Sequence, residues 1–225
     1  MRLLLTAGGV TNPTIQAALV DLLGKPIEES TALCIPTAMY GHPWLGPGVK
    51  AWEFAAGQEA GNPMVSLGWK SVGLLELTAL PSIPDERWMP QVRDADVLRA
   101  SGGDAIYLHH WLRESGMLDL FGELDDTVWV GMSAGSMVMT PRIGEEFVGW
   151  KSDLGDRGLG LVEFAICPHL AVGDRPGNSM EAAEKWASKI DIPAFAMDDE
   201  TAIVVDGDRV EVISEGVWHR LGDRD

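Results

Sequence analysis

The sequence is short of basic side chains and of cysteine. Only 17 of its 225 residues are lysine or arginine, against 34 aspartates and glutamates, which gives a formal net charge of −17 at pH 7. Nucleic acids and anionic membranes are bound through clustered lysine and arginine, so this balance argues against either as the main partner. The two cysteines, Cys34 and Cys167, are too few for a disulfide scaffold, and we expect two buried thiols in a reducing compartment.

Long apolar runs are also missing. The N-terminal stretch MRLLLTAGG turns polar after its leucines, well short of the roughly 7 to 15 apolar residues in the core of a secretory signal. Nothing approaches the roughly 18 apolar residues that indicate a membrane-spanning helix. We therefore expect a cytoplasmic protein. Neither a Gly-x-Gly-x-x-Gly fingerprint nor a Walker lysine is present, so the Gly8-Gly9 pair does not predict a nucleotide-binding loop.

What the sequence does contain is a regular alternation of short apolar runs and helical patterns as far as about Ala194. This alternation is typical of an α/β fold with a mostly parallel sheet and helices on both faces. The first run, Leu3 to Thr6, precedes Asn12 and Pro13, which predict a helix cap and a first helical position. Further strands are predicted at 32–36, 71–77, 96–100 and 127–132, and helices within 44–60 and 106–112.

The C-terminal pattern is different. After Ile192, the runs TAIVV and RVEVI flank Asp206-Gly207, and Asp-Gly between two such runs indicates a β-hairpin. We expect this antiparallel hairpin at an edge of the sheet. No repeat or linker-like segment interrupts the chain, so the sequence predicts a single α/β domain over residues 1–225.

One serine has the context of a catalytic nucleophile. Ser133 lies in the Gly-x-Ser-x-Gly motif of VGMSAGSM, between a predicted strand and a predicted helix. Such a turn lifts the hydroxyl above the sheet, and Gly131 and Gly135 allow strand and helix to approach closely. The amide of Ala134 is then a candidate donor to an oxyanion. The Ser-Gly-Gly-Asp segment after the preceding strand offers a second donor, for which we select the amide of Gly103.

A nucleophilic serine needs a base, and the chain has five histidines: His42, His109, His110, His169 and His219. His169 closes the strand-like run Val162 to Cys167, and parallel sheets build their sites at strand carboxyl ends. We select it as the base. His219, near the chain end, is where an α/β-hydrolase would carry its histidine, and it defines the alternative.

The segments GMSAG, SGGD, CPH and MDDETAIVV, together with the opening LTAGGVTNPTI, resemble the peptidase E and cyanophycinase family of serine peptidases over nearly the whole chain. The resemblance implies a class I glutamine amidotransferase-like, flavodoxin-like fold and a Ser-His-acid hydrolase without metal or cofactor. Ser133 would be the nucleophile, His169 the general base, and the amides of Gly103 and Ala134 the oxyanion hole. The family's substrates are short peptides with an N-terminal aspartate, or an aspartate-arginine polymer.

The acid of the triad does not carry over directly. Peptidase E places an aspartate in the loop beyond its serine, and here that register falls on Val148. A glutamate can orient an imidazole if the backbone recedes by one methylene, so we expect Glu145 or Glu146 to be the acid. The next candidates in the same loop are Asp153 and Asp156.

The substrate pocket also departs from the family. Met180 stands where peptidase E has an arginine that would pair with the substrate aspartate, and methionine cannot bind a carboxylate bidentately. This argues against aspartate specificity. Asp104 and Arg175 are the candidate substrate-binding residues.

Three functions compete at this stage. The leading hypothesis is a serine peptidase, monomer or homodimer, that cleaves short peptides through an acyl-enzyme. The second is an α/β-hydrolase-type esterase that uses Ser133 and His219 with Asp198 or Asp199. The third is a non-catalytic, amidotransferase-like binding protein, suggested by the missing acid and arginine.

Overall fold

The computed structural model describes residues 1–43, 49–57, 64–173 and 176–222. Its strands are β1 (Arg2–Thr6), β2 (Thr31–Ile35), β3 (Ser71–Leu74), β4 (Val97–Ala100), β5 (Val128–Met132), β6 (Ala165–Cys167), β7 (Ala194–Met197), β8 (Thr201–Asp206), β9 (Arg209–Ser214) and β10 (Trp218–Leu221). Its α-helices are α1 (Pro13–Leu23), α2 (Ala38–Gly41), α3 (Val49–Ala56), α4 (Asp85–Arg93), α5 (Ala105–Glu114), α6 (Ala134–Met137) and α7 (Met180–Ala187). None of these helices is long and apolar enough to cross a membrane.

The larger sheet has seven strands in the order β3-β2-β4-β5-β1-β8-β9. The pairings from β3 to β1 are parallel, whereas β1 pairs antiparallel with β8, and β8 with β9. The predicted α/β class and the antiparallel C-terminal hairpin are therefore confirmed. Because β4, β5 and β1 are neighbouring parallel strands, their carboxyl ends lie beside one another at the edge where open parallel sheets build their sites.

A second sheet of three strands, in the order β10-β7-β6, was not predicted. The strand-like run before His169 forms β6, which pairs in parallel with β7 instead of joining the larger sheet. The helix α7 covers it, since Trp186 and Ala183 pack with Ala165 and Cys167 in a small core of their own. Residues 198–200 connect β7 of this sheet to β8 of the larger one.

The larger sheet is covered on both faces. Alternate residues of β1 point to opposite sides: Leu3 and Leu5 pack with residues of α5 and α6, while Leu4 packs with Ile15 of α1 and Phe54 of α3. This is the expected consequence of the two-residue period of a strand. Full burial of each such side chain contributes about 1.5–3 kcal/mol to folding.

Both cysteines are free and buried, as the sequence analysis predicted. Burial raises the pKa of Cys34 and of Cys167 to about 12. Neither thiol is therefore a thiolate nucleophile at neutral pH.

Candidate active site

Ser133 occupies a strained turn between β5 and α6. Its backbone has φ 50° and ψ −109°, one of the few positive φ values among the described non-glycine residues. Such a conformation costs of the order of 1–3 kcal/mol and persists only where the surroundings impose it. Here the Ser133 amide donates to the carbonyl of Thr6 at the end of β1, at 3.0 Å. The neighbouring strand thus holds the serine at the carboxyl edge of the sheet.

The two glycines of the motif allow this turn to form. A Cβ on Gly131 would lie 2.4 Å from the carbonyl oxygen of Gly135, and a Cβ on Gly135 would lie 2.5 Å from that of Ala100. Any side chain would therefore separate α6 from β5 or from β4. The structure agrees with the close approach that the motif predicted.

His169 contacts the Ser133 hydroxyl. It follows β6 with φ 64°, and its Nε2 lies 3.0 Å from Ser133 Oγ. Two backbone hydrogen bonds hold the loop just after His169. The amide of Leu170 donates to the carbonyl of Met197 at 3.0 Å, and the amide of Ala171 donates to that of Asn178 at 2.7 Å. The predicted nucleophile and base are thus within hydrogen-bond distance of each other.

The third member of the constellation is Asp199. Its Oδ1 lies 2.6 Å from His169 Nδ1, so the carboxylate holds the tautomer that leaves Nε2 free to accept the serine proton. Asp199 lies in the turn between β7 and β8. Gly8 makes room for it, since a Cβ there would lie 2.7 Å from the Cβ of Asp199. Gly8 therefore allows the close approach of the acid.

The prediction that Glu145 or Glu146 is the acid is wrong. Both are exposed in a 3₁₀ turn over Glu145–Phe147, and Glu146 forms an ion pair with Lys189 of the α7 segment. The position they were expected to fill is held by Asp199.

The other two carboxylates of that loop do not contact His169 either. Asp156 accepts two hydrogen bonds from the guanidinium of Arg142, at 2.9 and 2.8 Å. The backbone carbonyl of Asp153 accepts a hydrogen bond from the guanidinium of Arg157. The loop after α6 is tied to its own basic residues. From the sequence, Asp199 is a candidate only as a partner of His219. It nevertheless comes just after the apolar run AFAM, and residues that follow the end of a strand often belong to a site.

The remaining histidines lie elsewhere. His219 is exposed on β10, across from Ala196, and Ser133 Oγ meets His169 instead, so the esterase constellation is not formed. His109 lies on α5 and contacts the carbonyl of Arg157 through Nδ1 at 2.8 Å, and burial lowers its pKa. His110 packs its ring against Trp150.

The backbone amides of Gly103 and Ala134 have no acceptor among the described residues, and the same holds for the adjacent amides of Gly102 and Gly135. The loop after β4 approaches the serine closely: a Cβ on Gly102 would lie 3.5 Å from the Cβ of Ser133. Gly103 has φ 139°, and a Cβ on it would lie 2.2 Å from the carbonyl oxygen of Ala38. Glycine is thus required there, and the arrangement suits the pair of donors that an oxyanion needs.

The predicted substrate-binding role of Asp104 is not supported by its surroundings. Asp104 is 2% exposed and caps α5, with Oδ1 accepting from the amide of Tyr107 at 2.8 Å. Its Oδ2 accepts from the amides of Gly149 and Trp150 at 2.9 and 2.6 Å. The two bonds to Oδ2 hold the 149–150 loop against the start of α5. The other candidate, Arg175, lies outside the described residues.

Met180 occupies the position at which the family resemblance implied an arginine. Met180 begins α7, and its side chain packs against the core of the smaller sheet. In the described ranges, no three His, Cys, Asp or Glu side chains are grouped as a metal site would require.

Comparison with known proteins identifies a family and a shared fold. Residues 3–213 match the model of peptidase family S51. A crystal structure of a candidate peptidase E from Listeria monocytogenes EGD-e superposes with a TM-score of 0.68 at 20% identity, covering 96% of this chain and 98% of that one. A peptidase from an acI-B1 Actinobacterium gives 0.69 at 20% identity, over 97% and 89%. At this identity the two structures establish the fold alone. No curated protein matches the sequence significantly.

Proposed function

The chain belongs to peptidase family S51 and is a serine-type peptidase, and we propose that it hydrolyses short peptides through an acyl-enzyme on Ser133. The observation that carries this proposal is the continuous line of hydrogen-bond contacts from Ser133 Oγ through His169 to Asp199, at 3.0 and 2.6 Å. The three residues come from segments that are far apart in the sequence, and packing of the fold alone does not require their side chains to meet.

In the proposed reaction, His169 Nε2 takes the proton of Ser133 as the oxygen attacks the scissile carbonyl. The oxyanion that forms accepts from the amides of Gly103 and Ala134. The same His169 nitrogen then protonates the leaving amine, and the C–N bond breaks. A water attacks the resulting ester in a second cycle of the same steps, which releases the acid product and restores Ser133. Asp199 keeps the imidazole oriented and stabilises its charged form throughout.

The proposed substrate class follows from the residue at the expected carboxylate-binding position and from the net charge of the protein. With Met180 in place of a carboxylate-binding arginine and a net charge of −17, we propose neutral or basic short peptides in preference to aspartyl ones. The two buried, free cysteines are those of a reducing compartment, and we place the enzyme in the cytoplasm as a monomer or homodimer.

Labelling with a fluorophosphonate, read by intact-protein mass spectrometry, tests the nucleophile. We expect one adduct on the wild type, none on Ser133→Ala, and very slow labelling of His169→Ala. Ser188→Ala, which removes an exposed hydroxyl at the end of α7, is the matched control and retains the adduct. A folded wild type that takes no adduct, or an adduct that survives in Ser133→Ala, would overturn the proposal.

Hydrolysis of a dipeptide set tests the acid and the reaction class. Asp199→Asn is expected to lower kcat by about 10⁴, as loss of the orienting carboxylate does in other triads. Glu146→Gln is the control and changes kcat by less than about twofold, because an exposed ion pair contributes little. Cleavage of esters but not peptides, abolished in His219→Ala, would instead support the esterase.

A further inference from the structure

The turn that carries Asp199 needs external support. It spans the gap between the two sheets, and the Asp199 side chain is 34% exposed, so no packed core fixes its carboxylate. The bond to His169 Nδ1 is nevertheless short, at 2.6 Å. Hydrogen bonds of that length require the donor and acceptor to be held in direction as well as distance.

The neighbouring carboxylate supplies much of that support. Asp198 Oδ1 accepts from the amide of Glu200 at 3.1 Å and from the hydroxyl of Thr201 at 2.7 Å. Its Oδ2 accepts from the amide of Val217 at 2.6 Å, and its own amide donates to the Val217 carbonyl at 3.1 Å. Asp198 therefore ties both ends of the Asp199 turn to the segment between β9 and β10.

That segment is shaped to receive it. A Cβ on Gly216 would lie 2.1 Å from Asp198 Oδ2, so only glycine admits the carboxylate at this point. The Thr201 hydroxyl bridges on to Ser214 Oγ at 2.7 Å, and Ser214 Oγ accepts from the amide of Gly216 at 3.0 Å. The contacts form a closed loop of hydrogen bonds around Asp198.

The opposite side of the turn is held by the start of α1. Thr11 Oγ donates to the carbonyl of Asp199 at 2.7 Å, and Asn12 Nδ2 donates to that of Glu200 at 3.0 Å. The two peptide groups that follow Asp199 are thus held by the residues just before α1, while Asp198 ties the same turn to the segment between β9 and β10. The turn that carries Asp199 is therefore held from two sides, by the residues before α1 and by the segment between β9 and β10.

We propose that Asp198 is a positioning residue for catalysis: it acts through Asp199, by holding the turn in the one conformation that places the Asp199 carboxylate on His169 Nδ1. In this proposal Asp199 orients the base, His169, and Asp198 orients the acid, Asp199. The inference rests on the proposed function, since it assigns a catalytic consequence to a contact network.

The test compares Asp198→Ala with the wild type on a dipeptide that the enzyme cleaves. We expect kcat to fall by about 10- to 100-fold with KM nearly unchanged, as a misplacement of about 1 Å does elsewhere. The strongly deshielded proton resonance of the His169 Nδ1–H···Asp199 bond should weaken or disappear. Asp198→Asn, which keeps one acceptor oxygen, should recover part of kcat.

Two further variants keep the test decisive. Thr201→Val removes the hydroxyl without changing the shape of the side chain, and should shift kcat and the resonance in the same direction by a smaller amount, even if Asp198→Ala fails to fold. Asp208→Ala, in the exposed β8–β9 turn, is the control and leaves both unchanged.

Several outcomes would overturn the inference: an unchanged kcat in the folded Asp198 variants, a rise in KM alone, or a lowered kcat with the wild-type resonance intact. They are distinct from failure of the proposed function, in which the wild type itself takes no fluorophosphonate adduct on Ser133.

Discussion

Arg99 is a buried cation in the larger sheet. It lies in the middle of β4 and is fully buried, with Cζ 5.4 Å above the ring of Trp69 and Nη1 donating to the carbonyl of Met64. Its Nε and Nη2 have no partner, and no carboxylate pairs with it in the described part of the chain. Burial lowers the pKa of Arg99. A buried cation that meets no carboxylate, as Arg99 does among the described residues, costs several kcal/mol of desolvation.

We therefore expect Arg99→Met to raise the free energy of unfolding by about 1 kcal/mol or more, since methionine fills a similar volume without a charge. The Met64 carbonyl keeps its bond from Trp69 Nε1 at 3.0 Å in that variant. Arg99→Ala should lower stability by about 2–4 kcal/mol, because it leaves a cavity. Urea denaturation measures both. A methionine variant as unstable as the alanine one would show that the charge is compensated.

The triad residues differ in how visible they are in the sequence. Ser133 and His169 are marked locally, one by its strand-turn-helix context and the other by the strand that precedes it. Asp199 can contact His169 because Cys167 of β6 and Ala196 of β7 are paired in parallel, which brings the residues just beyond these two strands to one edge of the sheet. No local pattern records that pairing. Among several carboxylates of equal chemistry, only the tertiary arrangement selects one.

At the scale of elements, the packing of β5 against α6 decides the geometry of the nucleophile. Gly131→Ala would place a methyl group 2.4 Å from the Gly135 carbonyl oxygen, against backbone atoms that cannot rotate away. We expect a loss of about 2–3 kcal/mol in the free energy of unfolding. The kcat should fall by about 10- to 100-fold, because α6 and Ser133 are displaced together.

Gly122→Ala is the matched control for that variant, since a Cβ there meets nothing within 4 Å. Thermal unfolding and dipeptide hydrolysis compare the two. Equal behaviour of both alanine variants would mean that strand and helix can separate without cost, contrary to the contacts described.

The elements themselves were predicted to different extents. The first strand and the helix after it are where the sequence placed them, with Asn12 accepting from the amide of Ile15 at 2.9 Å as a helix cap. Caps and hydrophobic periods are local, and so they can be read directly. The strand-like run before His169 was predicted, but not the second sheet to which it belongs as β6. Its sheet depends on pairing with β7, which is non-local and leaves no trace in the run itself.

At the scale of the whole molecule, the site depends on the complete course of the chain. Gly8 follows β1, Ser133 follows β5, His169 follows β6 in the other sheet, and Asp199 lies in the connection between the sheets. The support of Asp199 comes from α1 and from the segment before β10. A change that detaches the segment between β9 and β10 from residues 198–200 should therefore affect catalysis before it unfolds the larger sheet.

The charge of the whole molecule makes a separate prediction about substrates. A net charge of −17 creates a negative potential that concentrates cationic ligands near the surface and depletes anionic ones. With matched dipeptides that differ only in a lysine, a glutamine or an aspartate, kcat/KM should fall with added salt for the first, stay flat for the second and rise for the third. Between about 20 mM and 0.2 M NaCl, screening should change the charged pair by about two- to fivefold in opposite directions.

Steady-state kinetics at several NaCl concentrations measures this directly, and the glutamine peptide controls for effects of salt on the enzyme itself. The opposite pattern, with the aspartyl peptide preferred at low salt and losing ground as salt is added, would mean that a local cationic pocket outweighs the overall field. Since Met180 stands where such a cation would be sought, that result would require the cation to come from another segment and would restore aspartate specificity.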